Sequence, residues 1–158
     1  MTTRRTLLGL IAALPIAAPA FAASGRFVVS YPPAEWQRRL GKQAFAVLRE
    51  EGTERPFTSP LDKEKRAGLF VCRGCALPLF SSAHKFESGT GWPSFWQPLN
   101  KTAIGSTVDR SYFMVRTEVH CSRCGGHQGH VFDDGPKPTG LRYCINGLSL
   151  AFVPGKTA

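Results

Sequence analysis

Five cysteines divide by spacing into two kinds of chemistry. Cys72 and Cys75 form one C-x-x-C, Cys121 and Cys124 form another, and 45 residues separate the pairs. Two such knuckles aimed at one point make a four-sulfur tetrahedron, the ligand set of a structural zinc ion. Gly74, Gly125 and Gly126 are expected to give the knuckles their backbone freedom. Two disulfides, or a thioredoxin-like redox pair, are the competing readings for an exported chain. A redox pair accounts for one motif and not for two. His84 and His120 are read as surface histidines, because four sulfurs already complete a tetrahedron.

Cys144 is left over, inside Leu141-Arg142-Tyr143-Cys144-Ile145-Asn146-Gly147. Alternation places Arg142, Cys144 and Asn146 on one face of a short strand, so a cation flanks the sulfur and favours the nucleophilic thiolate. His127-Gln128-Gly129-His130 precedes it by about a dozen residues. A hairpin between the His130 to Phe132 and Arg142 to Ile145 segments brings His130 beside Cys144, where an imidazole transfers protons near neutral pH. Spacing alone equally allows structural histidines and an inert buried thiol. Gly89-Thr90-Gly91-Trp92-Pro93-Ser94-Phe95-Trp96 sets three aromatics among turn formers, either as a box for an apolar group or as core; on spacing, core is the preferred reading.

These groups need a scaffold that positions them. Pro32-Pro33 offers a helix start, and Trp36, Leu40, Ala44, Val47 and Leu48 recur near helical spacing. One or two helices fit, with Gly41 as a break and Gly52 just past the end. Further strands are expected at Leu69-Phe70-Val71 and from Ser111 to Val119, the latter with Phe113, Val115 and Val119 on one face. A last strand takes in Leu148, Leu150 and Phe152, and Asp133-Asp134-Gly135-Pro136 reads as a turn. Sixteen Gly and twelve Pro favour short strands and tight turns, so the fold class is mainly β with few helices.

The 158 residues suit one domain, and 42% hydrophobic with 20% charged residues excludes a disordered or fibrous chain. Residues 1–22 carry Arg4 and Arg5, an apolar run from Leu7 to Ala18, and Ala20-Phe21-Ala22. This is the pattern of a cleaved export signal, of twin-arginine type or with Arg4 and Arg5 as the basic region of an ordinary one, and the protein is expected in the periplasm. Residues 23–33 are a lead-in and 34–158 the domain. The charge is +9, with the basic residues scattered, so no nucleic-acid stripe is expected. Beyond the leader no apolar run approaches a membrane span, and a monomer is expected.

Three stretches together resemble the B-type methionine sulfoxide reductases. They are Lys85-Phe86-Glu87-Ser88-Gly89-Thr90-Gly91-Trp92-Pro93-Ser94-Phe95, His127-Gln128-Gly129-His130-Val131-Phe132-Asp133-Asp134-Gly135-Pro136 and Gly140-Leu141-Arg142-Tyr143-Cys144-Ile145-Asn146. Gly52-Thr53-Glu54-Arg55-Pro56-Phe57 and both C-x-x-C pairs extend the likeness from about Ala34 to Val153. The resemblance implies two antiparallel sheets packed as an open tent, short N-terminal helices, and zinc knuckles formed by Cys72, Cys75, Cys121 and Cys124. It implies reduction of the R epimer of methionine S-oxide, in proteins or peptides. Cys144 would be the nucleophile that becomes a sulfenic acid, and His130 and His127 would polarise or protonate the departing oxygen. Arg142 and Asn146 would order the thiolate and its water network, and Trp92 would pack the substrate methyl. Members often carry a resolving cysteine where this chain has Thr90, so an external thiol (a thioredoxin-type domain, a glutaredoxin or a small thiol) is expected to recycle Cys144. The rival readings are a cysteine hydrolase or acyltransferase built on Cys144, His130 and Asn146, and a zinc-ribbon binding module without catalysis.

Overall fold

A computed structural model describes residues 27–155; the leader lies outside the described residues. The first element is α1, Pro33–Glu50, with Pro33 in the first turn, where a missing N–H costs nothing. Gly41 takes φ 73° and kinks it, so it is two short helices run together. Its buried face is Trp36, Ala44, Val47 and Leu48. The left-handed residue that ends it is Glu51 (φ 55°), not Gly52, whose N–H bonds Ala46 O at 2.9 Å.

Among the described residues nine strands follow: β1 Gly68–Cys72, β2 Pro78–Ser81, β3 Lys85–Phe86, β4 Ser94–Phe95, β5 Ile104–Asp109, β6 Arg116–Cys121, β7 His127–Phe132, β8 Arg142–Ile145 and β9 Leu150–Pro154. They form two antiparallel sheets, ordered β2-β1-β9 and β3-β4-β8-β7-β6-β5. The mainly β, two-sheet expectation therefore holds. Phe70, Phe80 and Phe95 are fully buried, with Phe95 stacked on Phe80 at 4.4 Å and edge-on to Phe70 at 4.9 Å. Rings from both sheets thus meet in one core. Among the described residues no helix is long and apolar enough to cross a membrane.

Three expected boundaries move, the first two because a side chain takes backbone groups that the ladder would have used. The strand expected from Ser111 begins only at Arg116. Asp109 Oδ1 accepts the Ser111 N–H at 2.8 Å and starts a 3-10 turn over Ser111–Phe113, which leaves Phe113 and Val115 exposed and only Val119 buried. The last strand starts at Leu150, because Glu54 accepts the N–H groups of Gly147 and Leu148 and holds Gly147–Ser149 as a second such turn. The chain after β7 reverses over residues 137–139 and not within Asp133–Pro136; Asp134 is engaged by Arg142, and Gly140 N–H closes on Pro136 O at 2.9 Å.

Candidate active site and metal centre

The two knuckles hang from the ends of β1 and β6, as their spacing predicts. All four sulfurs lie within 4.8 Å of one another, with Cys72 to Cys124 at 3.7 Å and Cys75 to Cys121 at 3.5 Å. A tetrahedron with metal–sulfur bonds of about 2.3 Å has edges of about 3.8 Å, so the set fits one zinc ion. The same distances exclude disulfides, whose sulfurs sit about 2.0 Å apart, and all four are free. Thiol–thiol hydrogen bonds push Cys72 and Cys124 up and Cys121 down, as expected of like groups that need a cation to ionise together. Gln128 Nε2 reaches Cys72 Sγ at 3.7 Å, and Arg49 holds the Cys124 carbonyl at 2.9 Å. The left-handed residues of the knuckles are Gly125 (φ 67°) and Ala76 (φ 57°). Gly74 takes no left-handed conformation, and a Cβ there would meet Cys124 Sγ at an ordinary 3.4 Å.

His84 and His120 are not surface histidines, although neither is needed by the metal. The His84 ring packs edge-on to Trp96 at 4.5 Å, and its Nε2 meets Gln97 at 2.9 Å. His120 is half-buried, with Nδ1 2.8 Å from Glu118.

The β7–β8 hairpin pairs His130 with Cys144 in register, and Gly129 with Ile145. Gly129 is required there: it takes φ 153°, and a Cβ would collide with the Cys144 carbonyl at 2.1 Å. Cys144, His130, Trp92, Asn146, Thr53 and Arg116 line a cavity of about 120 Å³, together with Gly129 and Phe132. A much larger concavity of about 730 Å³ lies between α1 and Leu148, but it holds no thiol or imidazole. The small cavity is the one that brings a thiol and an imidazole together.

Burial pushes the Cys144 thiol up; the Thr90 hydroxyl, 3.8 Å from the sulfur, and the Arg142 guanidinium oppose it without prevailing. The expected ionised sulfur is therefore not the resting state. Arg142 spends two hydrogen bonds on Asp134, at 2.8 and 2.7 Å, and lies over the Phe132 ring at 4.5 Å. Burial likewise pushes His130 down, opposed by Asp109. His130 Nε2 sits 2.8 Å from Asp109 Oδ2, which also accepts Arg116 at 2.6 Å. Bonds from Ser111, then from His130, hold Asp109 below the usual carboxylate range.

His127 lies behind His130, outside the cavity lining, with ring centroids 5.5 Å apart. Its Nδ1 is 2.8 Å from Glu118 Oε1, and its buried Nε2 has no partner among the described residues. Asn146 is buried and held at both ends: its amide nitrogen donates to Gln128 O at 3.2 Å and its oxygen accepts the Glu54 N–H at 3.0 Å. The Trp92 indole donates to Glu54 O at 3.1 Å, which fixes its ring at the cavity. The aromatic segment therefore splits: Phe95 is core, Trp96 packs on His84, and Trp92 lines the site.

Asp109 and Glu118 are functional candidates that sequence reasoning missed. Arg116, Glu118 and His120 alternate with Thr117, Val119 and Cys121 along β6, a polar stripe legible in the sequence. The stripe acquires meaning only when β5 and β7 are paired on either side of it. A register shift at Val119/His120 then brings both His127 and His130 within reach of the stripe.

A family profile described as the SelR domain matches residues 40–154. A peptide methionine sulfoxide reductase MsrB from Saccharophagus degradans is 56% identical over 115 residues, covering 73% of this chain and 86% of the relative. The MsrB of Hahella chejuensis is 53% identical, covering 75% and 85%, and that of Agrobacterium fabrum 50% identical, covering 80% and 93%. Matched over most of its length by that domain and by relatives at half identity or more, the chain belongs to the SelR domain family, alongside the B-type methionine sulfoxide reductases that its motifs resemble.

Proposed function

We propose that this chain is a peptide-methionine (R)-S-oxide reductase that uses Cys144 as its nucleophile. The observation that carries this is the cross-strand pairing of Cys144 with His130 in a cavity walled by Trp92. A small desolvated pocket lined by the Trp92 and Phe132 rings suits a methionine side chain, and a thiol beside an imidazole suits transfer of its oxygen. In the reaction Cys144 Sγ attacks the sulfoxide, the substrate S–O bond breaks, and the oxygen passes to Cys144 as a sulfenic acid while methionine leaves. The proton that rests on the thiol ends on that oxygen, with His130 as its carrier. Asp109 occupies His130 Nε2, so Nδ1 is the nitrogen left to exchange it. Trp92 packs the substrate methyl, Arg142 stabilises the thiolate as it forms, and His127 and Asn146 position the strand that carries His130 and Cys144. Zinc braces the two sheets and takes no part in these steps.

Thr90 stands beside the sulfur where a resolving thiol would act, and the other four cysteines are committed to metal. The sulfenic acid is therefore met by an external thiol, which forms a mixed disulfide and releases water; a second thiol frees Cys144. The leader pattern supports export to the periplasm, which N-terminal sequencing of exported protein checks, and we read the domain as a monomer. Incubation of a blocked peptide containing racemic methionine sulfoxide with zinc-loaded protein and dithiothreitol tests the activity. Loss of the R epimer alone is expected; consumption of neither epimer refutes it. Turnover of acyl or peptide bonds without reductant would favour a cysteine hydrolase instead.

A further inference from the structure

The hairpin joining β5 to β6 holds apolar side chains in water: Val108 is 64% exposed, Phe113 109%, Met114 47% and Val115 71%. Apolar residues scattered singly over a surface are ordinary, but these fall within one tight connection. The connection is built to hold them there. Ser111 N–H bonds Asp109 Oδ1 at 2.8 Å, and Arg116 bonds Ser111 Oγ at 3.3 Å and Asp109 Oδ2 at 2.6 Å. Phe113 takes φ 60°, a conformation that bulky side chains rarely adopt.

Val108 and Val115 join the ledge to the site. A groove of about 430 Å³, walled by Val108, Val115, Val131 and Leu141, shares Arg116 and Phe132 with the cavity that holds Cys144. That cavity, at about 120 Å³, is well below the roughly 300 Å³ of a small-molecule pocket, so it takes one side chain and leaves the rest of a polypeptide outside. The residues flanking the oxidised methionine must lie on the adjoining surface, where the four aliphatic side chains outnumber Thr117 and Asp133.

We propose that Val108, Phe113, Met114 and Val115 dock apolar residues that flank methionine sulfoxide in a polypeptide, so that the protein prefers oxidised segments whose core residues have become exposed. The proposal rests on sulfoxide reduction as the activity. Asp109 links the two, since the carboxylate that fixes the loop also holds His130.

The test compares wild type with the Phe113→Ser, Val115→Ser double variant, with dithiothreitol as reductant. Three substrates are used: N-acetylmethionine sulfoxide, and peptides with glycine or leucine on both sides of methionine sulfoxide. Wild type is expected to favour the leucine peptide by about tenfold in kcat/KM, and the variant to lose that preference while turning over N-acetylmethionine sulfoxide as before. Equal wild-type rates on the two peptides overturn the docking surface, as does an equal loss on all three substrates. A defect seen only when a thioredoxin replaces dithiothreitol assigns the ledge to the reductant and also overturns it. So does self-association of wild type, by light scattering, that the variant lacks. Wild-type turnover of N-acetylmethionine sulfoxide reports the activity itself; its absence defeats that reading and the ledge together.

Discussion

Across the β7–β8 ladder His130 stands directly opposite Cys144. Burial acts on the two in opposite directions, raising the thiol and lowering the imidazole, so both are neutral at rest and the proton sits on sulfur. Such a pair is stable in a desolvated cavity and still carries the proton that oxygen transfer needs. Iodoacetamide labelling of Cys144, followed by mass spectrometry across pH, is expected to reach half its maximum above the usual thiol value. Arg142 favours the thiolate, so Arg142→Gln should shift the curve further up and slow labelling at neutral pH. An unchanged curve would show that the guanidinium does not act on the sulfur.

Glu118 takes a hydrogen bond from each of two imidazoles and one from Thr107. Burial opposes its ionisation, yet bonds from His120, His127 and Thr107 hold it at about 2. A folded-state pKa below the unfolded one contributes stability above the ordinary carboxylate value, lost as pH falls toward 2. The shift corresponds to on the order of 3 kcal/mol at neutral pH. Urea unfolding between pH 5 and pH 2 should therefore show wild type losing stability more steeply than Glu118→Gln. Parallel curves would mean that the three bonds are equally made in the unfolded chain.

Two cysteine variants separate the metal from the chemistry. Structural zinc contributes about 10–16 kcal/mol in zinc-finger peptides, against about 5–15 kcal/mol for the whole stability of a domain. Cys121→Ser should cost zinc and cooperative unfolding together, read by metal content and a thermal melt. Cys144→Ser should keep zinc and the melt while losing turnover. Full activity in the second variant would remove Cys144 from the reaction.

The parts of the site legible beforehand are those that depend on neighbours along the chain or across one hairpin. Doubled C-x-x-C spacing marks the metal, the odd cysteine marks the proposed nucleophile, and period-two alternation on both sides of one turn pairs His130 with Cys144. Asp109 and Glu118 escaped because each acts through strands paired on either side of β6, and the register shift at Val119/His120 leaves no local sign. The state of Cys144 escaped for another reason. Sequence shows that Arg142 is near but not how deeply the sulfur is buried, and burial decides. Phe113 looked like a strand residue because its alternation is real; the Asp109 side chain ends the ladder first.

Thr90 offers the most direct control over how the enzyme is recycled. Its hydroxyl lies 3.8 Å from Cys144 Sγ, held by Ser88 at 2.8 Å, which is in turn bonded to Ser94 at 2.7 Å. A thiol in the place of that hydroxyl would start about 3.8 Å from the sulfur and must close to the roughly 2.0 Å of an S–S bond. In Thr90→Cys, the sulfenic acid formed at Cys144 should therefore condense with the introduced thiol, forming an S–S bond and releasing one water. One equivalent of methionine sulfoxide, added without reductant, should then consume two thiols per protein and leave dimedone nothing to trap. Wild type should consume one thiol and give a dimedone adduct on Cys144. Persistence of that adduct in the variant would show that the loop around Thr90 holds its side chain away from the oxidised sulfur.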